Sequence, residues 1–359
     1  MPVSRRAREA IARRYPRAHR TLGRIRRAVL DLPEAAPPGG PGRGGGRKAA
    51  GTRSAAPPTA AQAPPAGYDR ISARRDHIFA TASRSGAFLE IGPAHNGTIA
   101  RRHGFETRNV DYLDRDGLVA KYQHFEQYDM THIEDVDYVL QAGSTFSKAI
   151  DEKFDVVLAS HVLEHSISLV DFVNDCAAMV KQGGQLSLIV PDHRFCFDRF
   201  RERSSLSRVI DAADRPSHVH TPGTLVEFSL NAVQHRGTSS WAPGHRGKYR
   251  LLNDVSKAKA SAEAARGEAY IDVHNWIFSP HHLRLLLSDL ADLGLIGLRE
   301  RYFHETVGHE FFINLSHDGD GPGLSRQELM MLADEEKRTL DVPVFADEPQ
   351  PAPATRPTS

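Results

Sequence analysis

The chain has 359 residues, enough for one large domain or two small ones. Hydrophobic residues make up 40% and charged residues 25%, a balance that argues against a chain disordered throughout or built of low-complexity repeats. The net charge of +1 is uneven: residues 1–66 hold 14 Lys/Arg against 3 Asp/Glu, so a basic segment precedes a mildly acidic body.

Residues 1–30 carry ten arginines, and Ile11, Tyr15, Ala18, Leu22, Ile25 and Val29 fall on one helical stripe. Such a basic amphipathic segment can lie on an anionic membrane surface or dock on a protein partner; a solvated extension is the plainer reading. Pro33 to Pro65 is rich in Pro, Gly and Ala, which predicts a disordered linker with a boundary near Gly67. Tyr68 to Arg84 has the pattern of a helix.

Ala87-Phe88-Leu89-Glu90-Ile91-Gly92-Pro93-Ala94-His95-Asn96-Gly97 then joins a short apolar run to a Gly/Pro/Asn-rich turn. It predicts a buried strand, a tight turn and a helix over 98–103. Thr107 to Tyr112 reads as a second strand, Leu118 to Tyr128 as a helix, and Val136 to Gln141 as a third strand closed by Gly143-Ser144. Phe154 to Ala159 is a fourth strand. Leu169 to Lys181 is a helix capped by Gly183-Gly184. Gln185 to Val190 is a fifth strand, ended by Pro191-Asp192.

This alternation predicts an α/β fold with a Rossmann-like, doubly wound, mostly parallel sheet. It breaks at 193–272, which reads as an irregular insertion after strand five with short helices such as Ser205–Ala213. His281 to Leu293 is a strongly apolar helix with Pro280 in its first turn. Leu295 to Arg299 and Phe311 to Leu315 are the expected last strands. The chain thus divides into a basic segment and linker (1–66), a main domain (67–318) carrying the insertion, and a C-terminal helix with a disordered tail (319–359). Cys176 and Cys196 form no CxxC pattern, no apolar run reaches the roughly 18 residues a membrane span needs, and no apolar leader precedes them. A cytoplasmic location is expected.

A strand, a glycine turn and a helix start let backbone approach a polar ligand closely, and Gly92 is placed for that approach. Glu90 on the strand would repel a phosphate. Asp111 follows Glu90 by 21 positions, where an open α/β sheet presents an acid to ribose hydroxyls. Phe154-Asp155-Val156-Val157-Leu158-Ala159-Ser160-His161-Val162-Leu163-Glu164-His165 forms the fourth strand and its exit.

With these features the sequence resembles the class I S-adenosylmethionine-dependent methyltransferases. It is most similar to members whose first motif begins LEIGP and whose fourth strand reads FDVVLASHVLEH. The resemblance spans Phe88 to Asp192 and runs more loosely to about Ser316. It implies an antiparallel closing strand beside the fifth, and S-adenosylmethionine as cofactor. Glu90 would hold the cofactor's methionine end, directly or through ordered groups. Ala94 and Asn96 stand where the usual motif has its later glycines. Asp111 would accept both ribose hydroxyls, and Tyr112 would lie against the adenine. Ser144 stands where many relatives have an acid for the adenine amino group. Ser160 and His161 would line the methionine side with their backbone.

His193 follows strand five at the ligand-binding edge, and its imidazole titrates near neutrality, which makes it the candidate general base; a structural loop histidine is the competing reading. His165 lies one helical turn beyond His161, but Leu163-Glu164 between them differs from the metalloprotease HExxH order. His218 and His220 would face one way in an extended chain. With His274 and a carboxylate such as Asp192 or Asp198 they could hold a metal or a polyhydroxylated substrate. The sequence does not show that they converge, and no metal is assigned. Trp241, among Gly, Pro, Ser and Arg residues, is expected to be exposed enough to stack on a sugar. Trp276 is expected in the core.

The leading expectation is methylation of an oxygen on a small molecule, sugar or glycan, since the insertion is polar and His-rich and similar proteins often accompany polysaccharide-building systems. A non-catalytic binding module in a glycan-building assembly is the second reading. A nicotinamide-dependent oxidoreductase is disfavoured by Glu90. The acidic body without a basic-aromatic stripe argues against nucleic acid.

Overall fold

A computed structural model of the protein describes residues 61–338, apart from 67, 124–127, 142–143, 216, 246 and 267–269, together with 344–345. The basic stripe of residues 1–30, most of the Pro-rich linker, Gly143 and the C-terminal tail lie outside the described residues.

Helix α1 (Arg70–Ile78) starts at Asp69, whose side chain accepts the Ile71 N–H. Then come β1 (Phe88–Ile91), β2 (Thr107–Asp111), α2 (Arg115–Tyr122), β3 (Tyr138–Val139), the single turn α3 (Phe146–Ala149), β4 (Phe154–Ser160), α4 (Leu169–Met179) and β5 (Val180–Pro191). The insertion contributes α5 (Leu206–Ala213), α6 (Pro222–Asn231), β6 (Val233–His235), β7 (Lys248–Leu251) and α7 (Val255–Ala264). The chain continues through α8 (Pro280–Asp292), β8 (Arg299–Val307), β9 (Glu310–Ser316), α9 (Arg326–Arg338) and β10 (Val344–Phe345).

Seven strands form one sheet in the order β3-β2-β1-β4-β5-β9-β8. The first five are parallel, and β9 returns antiparallel beside β5, pairing Leu188 with Ile313. Side chains alternate between its faces, as period two requires. Leu89, Val157, Leu188 and Ile313 join the core under α4 and α8. Phe88, Val156, Leu158, Ile189 and Phe312 pack on the other face with Ile78 of α1. Strands buried on both faces read as unbroken apolar runs. The α/β, doubly wound, mostly parallel sheet is therefore as the sequence suggests.

Four details differ. The helix expected over 98–103 is one 3₁₀ turn, Arg101–His103, and the amides of Thr98 and Ile99 before it bond to Glu90. Strand β5 begins at Val180, so Gly183-Gly184 lie inside it and do not cap α4. A Cβ at Gly184 would sit 2.9 Å from the Asp155 carbonyl, so glycine allows β4 and β5 to close at that irregular register. Leu295, Ile296 and Leu298 are buried loop residues, and β8 starts only at Arg299. The insertion is more ordered than expected: β6 and β7 pair antiparallel, with β10 beside β7.

The ends also join the body. Gln62 donates to the Thr306 carbonyl and accepts from Gly308, each at 3.0 Å. Glu336 of α9 accepts from Ser279 Oγ (2.6 Å) and from the first-turn amide of His281 (2.8 Å). Among the described residues no helix is long and apolar enough to cross a membrane.

Candidate active site

The order β2-β1-β4 brings the carboxyl ends of three parallel strands side by side, with Ile91 opposite Val110 on one flank and Ala159 on the other. Open α/β sheets bind ligands at such an edge. Gly92 leaves β1 with φ +61°, a left-handed conformation suited to glycine, and its N–H bonds to Val110. Ala94 also has positive φ, +45°.

Glu90 is buried, at 1% exposure. Its carboxylate accepts the amides of Thr98 (2.6 Å) and Ile99 (3.0 Å), which folds the loop back onto β1. Burial pushes its pKa up to about 7, against the lowering effect of those amides. At the next strand end, half-buried Asp111 accepts the amides of Tyr112 and Leu113. Burial, only partly offset by those bonds, raises its pKa. Tyr112 beside it is 62% exposed, leaving its ring free for a flat ligand. Ser144 is half-buried; its amide bonds to Gln141, and its hydroxyl makes only a long 3.4 Å contact with the Thr145 carbonyl.

Ser160 ends β4, and His161 follows with φ +55°, uncommon for a residue with a Cβ. Its ring is fixed by Glu310 at the start of β9, with His161 Nε2 2.9 Å from Glu310 Oε2. Arg74 of α1 holds Glu310 with two bonds, Nε to Oε1 at 2.8 Å and Nη2 to Oε2 at 2.6 Å. Burial would raise the pKa of Glu310, but the bonds from Arg74 and His161 prevail and hold it well below the usual range.

Behind His161 lies Glu164, fully buried, with neither carboxylate oxygen hydrogen-bonded. Three imidazoles surround its Oε1: His161 Nδ1 at 3.7 Å, His274 Nε2 at 3.8 Å and His165 Nε2 at 3.9 Å. His274 Nδ1 bonds to Asp198, and His165 Nδ1 lies 2.7 Å from Asp272 Oδ1. Burial opposes protonation of His165, but Asp272 and Glu164 raise its pKa. The negative charge of Asp272 also adds, after burial, to the raised pKa of Asp111.

His193 stands apart from that group. It lines a cavity of about 330 Å³ with Arg199, Arg203 and Glu336, and none of Gly92, Asp111, Tyr112 or His161 lines it. Its Nδ1 is buried without a partner, and burial lowers its pKa to about 4. His218 is exposed while His220 is buried near Tyr270, so the two do not share an environment. Trp241 is not the exposed stacking platform expected: it is buried among Phe195, Val233 and Tyr249, because β6 and β7 build a small core around it. Trp276 is buried, its indole N–H donating to Ser166 Oγ. Arg74, Glu310 and Asp272 escaped the sequence reading, since nothing marks an acid at a strand start or in a loop as a partner of a distant histidine. Glu164 lies inside the fourth-strand motif, and His274 pairs with Asp198, one of the two carboxylates the sequence offers it.

No curated protein matches the chain. Among solved structures it is similar to the CcbJ methyltransferase from Streptomyces caelestis, with 14% identity over 70% of this chain and 98% of that one and a TM-score of 0.36. It is similar at 12% identity to the glycopeptide N-methyltransferase MtfA, solved with sinefungin (70% and 96% covered, TM-score 0.34). A third, at 10% identity, is an S-adenosylmethionine-dependent methyltransferase from Clostridium acetobutylicum ATCC 824 (69% and 90% covered, TM-score 0.36). A methyltransferase-domain family matches residues 66–290, more than half of the chain. Family match and strand order agree, and the chain belongs to the class I S-adenosylmethionine-dependent methyltransferases.

Proposed function

We propose that the protein transfers a methyl group from S-adenosylmethionine to an oxygen of a small hydroxylated acceptor, a sugar or glycan being the preferred class. The single observation that carries this reading is the juxtaposition at one sheet edge of Gly92, Asp111 with exposed Tyr112, and a histidine oriented by a buried carboxylate. Asp111 takes the ribose hydroxyls, Tyr112 the adenine face, and Ser144 the adenine amino group. The methionine portion runs over Gly92 and Ala94 towards Ser160 and His161. Glu90 acts through the loop it folds.

The acceptor oxygen attacks the methyl carbon, a C–O bond forms, and the C–S bond breaks with its electron pair passing to sulfur, which leaves S-adenosylhomocysteine. The hydroxyl proton must go to a base. We assign that role to His161, not to His193. Glu310 accepts from Nε2–H, so in the neutral ring Nδ1 carries the lone pair that takes the proton. The polar insertion supplies the acceptor side. The two buried free cysteines are in keeping with a reducing, cytoplasmic setting. Incubating the protein with methyl-labelled cofactor and a panel of sugars, glycans and small alcohols tests the reading. Label should enter an ether-type product; label found only on nitrogen acceptors would refute oxygen transfer.

A further inference from the structure

We infer that Glu164, His165 and His274 form a binding site for a divalent first-row transition metal ion. One oxygen of Glu164 and the Nε2 atoms of the two histidines lie within 4.8 Å of one another. The Glu164 oxygen is 3.9 Å from His165 Nε2 and 3.8 Å from His274 Nε2. Ligands about 2.1 Å from a tetrahedral ion lie roughly 3.4 Å apart, so small side-chain shifts close the site.

Three independent features favour an ion over mere packing. First, Glu164 is 0% exposed, yet neither oxygen has a hydrogen-bond donor. A buried carboxylate left so is costly unless a cation meets it. Second, each histidine has its other nitrogen against a carboxylate: His274 Nδ1 bonds to Asp198, itself held by Arg201 at 2.9 Å, and His165 Nδ1 contacts Asp272. For His274 this hydrogen bond fixes the tautomer and turns the Nε2 lone pair inward, while the Asp272 carboxylate beside His165 Nδ1 favours the same orientation by charge. Third, the donors are two imidazoles and one carboxylate, a set suited to zinc, iron, cobalt or manganese with positions left open. Asp272 and Tyr270 are exposed, so an oxygen ligand could reach those positions. The other groups differ: in the cluster of His161, His309 and Glu310, Arg74 already neutralises the acid.

The functional consequence rests on the oxygen-transfer reading above. A metal here would sit beside His161, hold the acceptor hydroxyl and make it more acidic, while His161 takes the proton.

The test uses the full chain stripped with a chelator and titrated with Co²⁺, with visible absorption and calorimetry as readouts. Wild type should take up one ion per chain with the absorption of a four- or five-coordinate site. Asp198→Asn, which removes the charge that supports His274 and pairs with Arg201, should weaken binding by about 10–100-fold in a variant that remains folded. His274→Ala and the near-isosteric Glu164→Gln should weaken it further, and exposed His132→Ala should change nothing. Circular dichroism checks that each variant is folded, and Glu164→Gln serves if His274→Ala is not. No saturable uptake by wild type, or uptake unaffected by Glu164→Gln, overturns the site and leaves protonated imidazoles as the neutralising charge. S-adenosylhomocysteine binding measured on the same samples separates the two ideas. Cofactor binding without cobalt uptake refutes only the metal site, and cobalt uptake without cofactor binding refutes only the cofactor reading.

Discussion

Replacing Glu310 with Gln should unfold the protein far more readily than its position at the start of an edge-proximal strand would suggest. The carboxylate is 1% exposed and Arg74 5%, joined by two bonds of 2.8 and 2.6 Å, with His161 on the same oxygen at 2.9 Å. Gln keeps the shape but removes the charge, leaving a buried guanidinium uncompensated and turning an amide N–H₂ against one donor. Breaking a buried pair from one side costs about 3–5 kcal/mol. Urea denaturation of wild type and Glu310→Gln at pH 7 measures it. The double variant Arg74→Met, Glu310→Leu should recover most of the loss, because the orphaned charge goes too. The acid limb gives a second readout. The folded-state pKa of Glu310 is depressed, so its stabilisation is full above its ordinary value near 4.5 and is lost as pH falls further. The variant should lack that part of the acid limb. A loss below about 1 kcal/mol, the size of a surface pair, would refute the reasoning.

Glu90 should behave in the opposite sense. Its folded pKa is raised from 4.5 to about 7, so the folded state holds a proton that the unfolded chain has lost. Stability should fall by about 3 kcal/mol as pH rises from 4.5 to 7 and then level off, and Glu90→Gln should flatten that slope in denaturant titrations. His161→Asn should lower turnover by about 10²–10⁴-fold with little change in cofactor affinity, while His193→Asn should leave turnover within a few-fold, as labelled methyl transfer would show. Deleting residues 1–60 should leave the melting temperature unchanged. Extending the deletion to 66 removes the two bonds of Gln62 and should lower it measurably.

The sheet was legible because its strands are buried on both faces and therefore appear as largely apolar runs, as in Gln185 to Val190 between Gly184 and Pro191. The carboxyl edge of β1, β2 and β4 was legible for the same reason: Gly92, Asp111 and Ser160 stand at the ends of those runs. What failed depends on side-chain contacts that no local sequence pattern reports. Thr98 to His103 looks like a helix, but only Arg101–His103 forms a 3₁₀ turn, and the amides of Thr98 and Ile99 fold back onto Glu90. Trp241 looks like a surface residue until β6 and β7 close over it. Where His193 lies was also hidden, because a place after strand five says nothing about which cavity a ring lines. His161 gains its partner from Glu310, 149 residues away.

The most direct test of the central claim is calorimetric titration of S-adenosylhomocysteine into the full chain and into Asp111→Ala. Hydrogen bonds to a charged group contribute about 1.5–3 kcal/mol, so binding to the folded variant should weaken by roughly 10- to 150-fold while wild type binds saturably at one site. Failure of wild type to bind, or equal affinity in both proteins, would contradict the account of this edge as the cofactor site.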